Sequence, residues 1–220
     1  MTKLKYINKT KSLNKFDNFI LSAFNLAFIG YFYKKKIKSN KNLIVWPDGI
    51  FALKYGCKQK IPGRKIIKTL DKINDIKKIV VLGNCTNKEL NFLNLKYKLK
   101  VDHYNLRYGE INKIKSSIPK ILKNYLYIIT LPTPKQEQLA QFISKKFSNY
   151  KIICIGGGLA MAAGVEKECP KILDNLGLEF LWRLKSDFFR RIKRLFYTFF
   201  LFLVSKTDIR IRKLRLIKTL

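Results

Sequence analysis

Acidic residues are scarce in this chain. Fourteen Asp and Glu stand against 46 Lys and Arg among 220 residues, for a formal net charge of +32. No D-x-D triplet occurs, so the closely spaced carboxylates that hold a divalent cation against a sugar-nucleotide diphosphate are missing. Histidine is reduced to His103, and none of Cys57, Cys85, Cys154 and Cys169 forms a C-x-x-C pair. That disfavours a zinc site. A Ser-His-Asp triad is poorly supported as well, because the G-x-S-x-G elbow is absent. Long apolar runs are lacking too. The most apolar stretch, residues 195–204 (LFYTFFLFLV), falls well short of the roughly 20 residues a helix needs to span a bilayer core. Residues 1–15 are basic and polar without an apolar segment, so no signal peptide is expected.

What is present is enough for a folded domain. The hydrophobic fraction is 47%, which permits a substantial core and argues against wholesale disorder. The excess positive charge calls for an anionic counterpart: nucleic acid, acidic lipid or a phosphorylated substrate. Widely spaced cysteines fit a reducing compartment, and Cys154, inside an apolar run, reads as a small buried hydrophobe.

Apolar runs alternate with amphipathic stretches. Strands are predicted over residues 19–24, 42–46, 78–83, 99–104, 125–131 and 151–155. Helices are predicted near 26–36 and over 65–74, 86–97, 111–124 and 137–147, with Pro119 interrupting the fourth of these. Continuous apolar strands separated by helices point to an α/β fold with a mostly parallel sheet and helices on both faces. In such sheets ligands bind at the carboxyl ends of the strands. Asp48, residues 132–137 and the run Gly156-Gly157-Gly158 all fall in strand-to-helix turns.

Beyond about Pro170 the pattern becomes one helical stripe. Leu181, Leu184, Phe188, Ile192, Leu195 and Phe199 recur at helical spacing, surrounded by Arg183, Lys185, Arg190, Arg191, Lys193 and Arg194. A basic amphipathic helix with an aromatic end suits an anionic membrane interface. The same stripe could instead pack on the core with a solvated basic face. The expected organisation is a basic segment over 1–17, an α/β core over 18–176 and a C-terminal basic amphipathic helical appendage over 177–220.

Individually, the chemical signals are modest. The glycine run matches neither the dinucleotide fingerprint nor a Walker A loop, and serves equally well for phosphate contact or for close backbone packing. Asp48, between Pro47 and Gly49, is by itself a common kind of turn aspartate. Arg183, Arg190 and Lys193, spaced by seven and three, share a helical face. That face would bind a diphosphate directly, or simply be solvated.

In order along the chain stand Trp46-Pro47-Asp48-Gly49-Ile50, Ile61-Pro62-Gly63, Pro132-Thr133-Pro134-Lys135-Gln136-Glu137, Gly156-Gly157, Ala163-Gly164, Pro170 and Gly177-Leu178-Glu179-Phe180-Leu181-Trp182-Arg183-Leu184. This ordered set resembles the WecG/TagA/CpsF glycosyltransferases (glycosyltransferase family 26), over roughly residues 18–195. The resemblance implies a Rossmann-like core and a C-terminal membrane-targeting appendage. It also implies metal-independent, inverting transfer of N-acetylmannosamine or a related hexose from a UDP-sugar to a polyprenyl-diphosphate-linked sugar. The setting would be cell-surface polysaccharide or teichoic-acid-like biosynthesis, on the inner face of the cell membrane, with no cofactor beyond the donor substrate. The family's catalytic aspartate falls on Asp48. Its substrate-site residues fall on Asn25, Gln136, Arg183, Arg190 and Lys193, and Gly157 joins the substrate-binding candidates. Ala23, Lys60 and Ala160 stand where the family usually has threonine, arginine and aspartate. Two other readings remain: a catalytically silent scaffold of the same fold, and a basic nucleic-acid-binding protein, although no nucleic-acid motif is evident.

Overall fold

The computed structural model describes residues 2–106, 109–167, 169, 170, 173, 182, 188–204 and 209–213. Eight strands form one sheet: β1 (Thr2–Tyr6), β2 (Phe19–Phe24), β3 (Leu43–Pro47), β4 (Lys78–Leu82), β5 (Lys100–Tyr104), β6 (Tyr125–Ile129), β7 (Lys151–Cys154) and β8 (Ile209–Lys213). Their order across the sheet is β5-β4-β6-β7-β2-β3-β1-β8. Every pairing among the described residues is parallel, so the chain has the expected Rossmann-like α/β fold. Two strands come from the flanks of the expected core: β1 from the basic N-terminal segment and β8 from the C-terminal appendage.

The helices are α1 (Leu26–Tyr33), α2 (Phe51–Lys54), α3 (Gly63–Ile67), α4 (Asn87–Tyr97), α5 (Ile111–Ser116), α6 (Lys135–Lys146), α7 (Gly158–Ala162) and α8 (Phe188–Val204). Side chains alternate across a strand, and the core divides accordingly. Ile20, Phe24, Val45, Tyr127, Ile129 and Ile152 pack with residues of α1, α2, α5 and α6 on one face. Phe19, Leu21, Ile44, Trp46, Ile128 and Ile153 pack with residues of α3, α4 and α7 on the other. All six residues of β2 are buried. Each large side chain there contributes roughly 1.5–3 kcal/mol on leaving water, which is why this strand takes a central place.

Two expected helices are shorter than their apolar periodicity suggests. The helix predicted over 65–74 stops at Ile67, and a 3-10 turn follows at Leu70–Lys72. The Thr69 hydroxyl donates back to the carbonyls of Lys65 and Ile66, both at 3.1 Å, and Thr10 Oγ1 donates to the Thr69 carbonyl at 2.7 Å. Local side-chain bonding of this kind competes with helix propagation. The helix predicted over 111–124 ends at Ser116. Pro119 cannot donate an amide, and it disfavours helical geometry in the residue before it. By contrast α4 starts where Thr86 and Glu89 form a reciprocal capping box.

Candidate functional site

The adjacency of β2 and β3 sets the geometry. Phe24 and Pro47 are register partners at the carboxyl ends of these strands, so the residues that follow, Asn25 and Asp48, emerge side by side. The Asp48 amide donates to the Phe24 carbonyl at 3.2 Å, and Ile61 N donates to the Pro47 carbonyl at 2.7 Å. Gly49 then turns the chain with φ +75°, a conformation that costs a side-chain-bearing residue energy.

Asn25 is the N-cap of α1, and its Oδ1 accepts from the Phe28 amide at 3.1 Å. That bond fixes the amide plane and turns Nδ2 toward Asp48, whose Oδ2 it meets at 3.0 Å. Both residues are half-buried. A half-exposed carboxylate fixed at the carboxyl edge of a parallel sheet can accept a proton from a group that reaches it.

A second cluster lies at the carboxyl ends of β6 and β7. Gln136, in the first turn of α6, is 4% exposed. Its Nε2 donates to Thr133 Oγ1 at 3.0 Å and to Glu137 Oε1 at 2.8 Å. With both amide hydrogens engaged, Oε1 is turned away, and it is buried without a hydrogen-bond partner among the described residues. Gly156, at φ +53°, comes close to it: a Cβ there would stand 3.8 Å from Oε1. The turn after β7 thus passes close to a buried acceptor.

Glu137 is fully buried and was not singled out by sequence reasoning. Its Oε1 also accepts from Ser22 Oγ of β2 at 2.8 Å and from Thr133 Oγ1 at 3.2 Å. Burial raises its carboxyl above the ordinary value of 4.5, opposed by hydrogen bonds from Ser22, its own backbone, Gln136 and Thr133. The neighbouring Cys154 thiol is pushed well above its usual range by burial and by Glu137. No sequence signal marks this role. A glutamate in a helix's first turn ordinarily reads as a solvated partner of the helix dipole.

The other expected positions are distributed as follows. Gly157 is exposed and caps the five-residue α7. Close backbone packing is found one residue later, where a Cβ on Gly158 would stand 2.8 Å from Ile155 Cγ1 and 3.4 Å from the Gly63 carbonyl carbon. Ala23 is buried in β2 opposite Trp46, and Ala160 lies in α7. Arg183 lies outside the described residues. Arg190 falls within α8, but its side chain lies outside what is described; Lys193, on the same helix, is exposed. His103 Nε2 pairs with the Gly83 carbonyl at 2.8 Å. Cys57, Cys154 and Cys169 are buried, with Cys154 in the core as expected.

α8 packs on α1. A Cβ on Gly30 would stand 2.9 Å from Leu201 Cβ, and Thr198 and Leu201 are buried. Phe189, Phe196, Tyr197, Phe199, Phe200 and Leu203 of α8 remain exposed. Among the described residues, no helix is long and apolar enough to cross a membrane.

Residues 100–215 match the model of the glycosyl transferase WecG/TagA/CpsF family. The chain is also 25% identical, over 204 residues, to a protein of Staphylococcus aureus strain MW2 named N-acetylglucosaminyldiphosphoundecaprenol N-acetyl-beta-D-mannosaminyltransferase. That alignment covers 86% of this chain and 78% of the relative. The protein of the same name from strain NCTC 8325 / PS 47 matches with the same identity and coverage.

Proposed function

The chain belongs to the WecG/TagA/CpsF family of glycosyl transferases, and on that premise we propose that it moves an N-acetylmannosamine-type hexose from a UDP-sugar to a polyprenyl-diphosphate-linked sugar, with inversion, using Asp48 as base. The observation that carries this reading is the Asn25–Asp48 pair at the carboxyl ends of adjacent central strands. The staphylococcal relatives' name specifies an N-acetylglucosaminyl-diphospho-lipid as acceptor and N-acetylmannosamine as the transferred sugar. That supports the same substrate class here.

In the proposed reaction the acceptor hydroxyl oxygen attacks the donor's anomeric carbon from the side opposite UDP. The bond from that carbon to the diphosphate oxygen breaks, the hydroxyl proton passes to Asp48, and UDP departs with its new negative charge. A positioned base contributes about 10²–10⁴-fold to such a step. Asn25 holds the carboxylate that takes the proton. The Gln136 acceptor beside Gly156 would bind a donor group of the substrate and orient it. Arg183, Arg190 and Lys193 would stabilise the departing diphosphate. The reading gives this task to cations rather than to a divalent metal because the sequence has no D-x-D triplet. The exposed aromatic side of α8 would rest on the membrane that carries the acceptor.

The test is turnover of UDP-N-acetylmannosamine with a lipid-diphosphate-N-acetylglucosamine acceptor by the wild-type chain and by Asp48→Asn. Product from the wild type, and its loss in a folded Asp48→Asn protein, are expected. Wild-type kcat in the variant would remove the assignment of the base. Absence of both product and UDP binding in the wild type would remove the activity itself.

A further inference from the structure

α1 is an eight-residue helix joining two features of different chemistry. At its N-cap Asn25 holds Asp48. About 12 Å further along, at 1.5 Å per residue, it runs into three consecutive lysines, Lys34, Lys35 and Lys36, all exposed. These lysines sit in a defined turn. Lys35 N donates to the Phe32 carbonyl at 3.0 Å, Lys36 N to the Tyr31 carbonyl at 3.0 Å, and Ile37 N to the Tyr31 carbonyl at 3.3 Å. Ile37, 1% exposed, anchors the turn in the core.

The same end of α1 carries α8. Tyr31 and Tyr197 rings lie 6.0 Å apart, and Lys34 Nζ stands 5.9 Å from the Tyr197 ring centre. The Lys34 ammonium, and with it the lysine turn, therefore adjoins the aromatic side of the appendage. Beyond Tyr197 that side presents Phe196, Phe200 and Leu203, at 68%, 60% and 64% exposure.

We propose that the lysine turn at residues 34–36 and the exposed aromatic side of α8 form one docking surface for an anionic lipid bilayer, with α1 as the strut that sets the distance from that surface to Asp48. This rests on the membrane-surface reading of α8 given above, and adds a part of the catalytic core to it. Charge complementarity selects the partner: lysines near an anionic leaflet are attracted to its headgroups, and their aliphatic stems lie along the apolar boundary with the ammonium groups turned to the phosphates. Aromatic and aliphatic side chains adjoining that rim suit the acyl boundary of a bilayer. A single-stranded nucleic acid would find a charged rim there, but beside it an apolar patch that includes Leu203 in place of a groove following its phosphates. The strut gives the arrangement a consequence for catalysis. A lipid-linked diphosphate at the headgroup level would meet the site at a separation fixed by a helix rather than by a loop.

The experiment uses the full chain with vesicles of phosphatidylcholine alone and of phosphatidylcholine mixed with phosphatidylglycerol. Four proteins are compared: wild type; the turn variant Lys34→Ala/Lys35→Ala/Lys36→Ala; the aromatic variant Phe196→Ser/Phe200→Ser; and a control, Lys96→Ala/Lys98→Ala/Lys100→Ala, with the same charge loss at exposed positions from the last turn of α4 to the start of β5. The turn variant should lose affinity for the phosphatidylglycerol vesicles by on the order of 100-fold, about fivefold per lysine, with little change on phosphatidylcholine. Its turnover of a short, soluble acceptor, a prenyl-diphosphate-linked N-acetylglucosamine, should equal that of the wild type, while turnover of the vesicle-borne acceptor falls. Equal binding by turn variant and wild type, or equal weakening by the control, overturns the proposal. If the aromatic variant alone loses binding, the lysine turn is excluded and the α8 reading stands. If the wild type binds neither vesicle, both fall. A turn variant that loses binding to single-stranded DNA but keeps its vesicle affinity also overturns it.

Discussion

Asn25 uses both ends of its amide: Oδ1 accepts from the Phe28 amide at 3.1 Å, and Nδ2 donates to Asp48 Oδ2 at 3.0 Å. One side chain thus starts a helix and orients a carboxylate. The two roles can be separated by substitution. Asn25→Ala loses both, so stability should fall by about 1 kcal/mol, as for a lost N-cap. Turnover should fall by roughly 10- to 100-fold, as expected for a lost hydrogen bond to a charged group. Asn25→Asp keeps the cap but sets a second carboxylate beside Asp48. Its melting temperature should stay near wild type, while the acid limb of kcat/KM moves to higher pH, because like charges disfavour ionisation. Unfolding curves and pH–rate profiles on the three proteins decide the matter.

Substituting Asp48 itself should leave the fold intact, since the residue is half-buried. Asp48→Asn should lower kcat by about 10²–10⁴-fold with little change in KM for the donor. Steady-state kinetics, with the melting temperature as control, reads this out.

Glu137 offers a pH test that needs no substrate. Its carboxyl is raised above 4.5 by burial, so the folded state binds its proton more tightly than the unfolded chain does. The stability this contributes is fully present below pH 4.5 and is lost as pH rises through the raised folded value. Glu137→Gln cannot ionise. The variant should therefore gain stability relative to wild type as pH increases above 4.5, and the difference should flatten once the wild-type carboxyl has ionised. Denaturant unfolding across that range measures the slope, and a difference independent of pH would contradict the assignment.

Gly30 permits the approach of α8 to α1. Because a Cβ there would meet Leu201 Cβ at 2.9 Å, Gly30→Ala should force the helices apart at a cost of about 1–3 kcal/mol. Hydrogen exchange should then quicken in α8 more than in the central strands. Unchanged exchange in α8 would show that the contact is not limiting.

Saturating UDP should stabilise the chain. At 100 times its Kd a ligand adds about 2.7 kcal/mol, which for a domain of this size raises Tm by several degrees. The same rise in Gln136→Leu would show that the buried acceptor beside Gly156 does not touch the nucleotide.

Much of the sheet was legible because its strands are buried on both faces. LIVWP at residues 43–47 is a continuous apolar run, and FILSAF at 19–24 is one apart from Ser22; that composition suits few other environments. Helix lengths were less legible where a single side chain decides them, as with the Thr69 hydroxyl that ends α3. Asp48 stood out through the ordered set of motifs around it. Glu137 did not, although it belongs to one of those motifs. Its burial depends on Ser22, 115 residues away, and on β2 lying beside β7.

The sequence by itself determined the alternation of strands and helices, the turns that carry Asn25, Asp48 and Gln136, and the excess of positive charge. These follow from local periodicity and residue chemistry. Only the tertiary structure decided which turns meet. Placing β2 between β3 and β7 brings Asn25 to Asp48 and Ser22 to Glu137, and seats α8 on α1 beside the lysine turn. Such pairings are chosen by burying both faces of the whole sheet at once, and no local stretch of sequence contains that information.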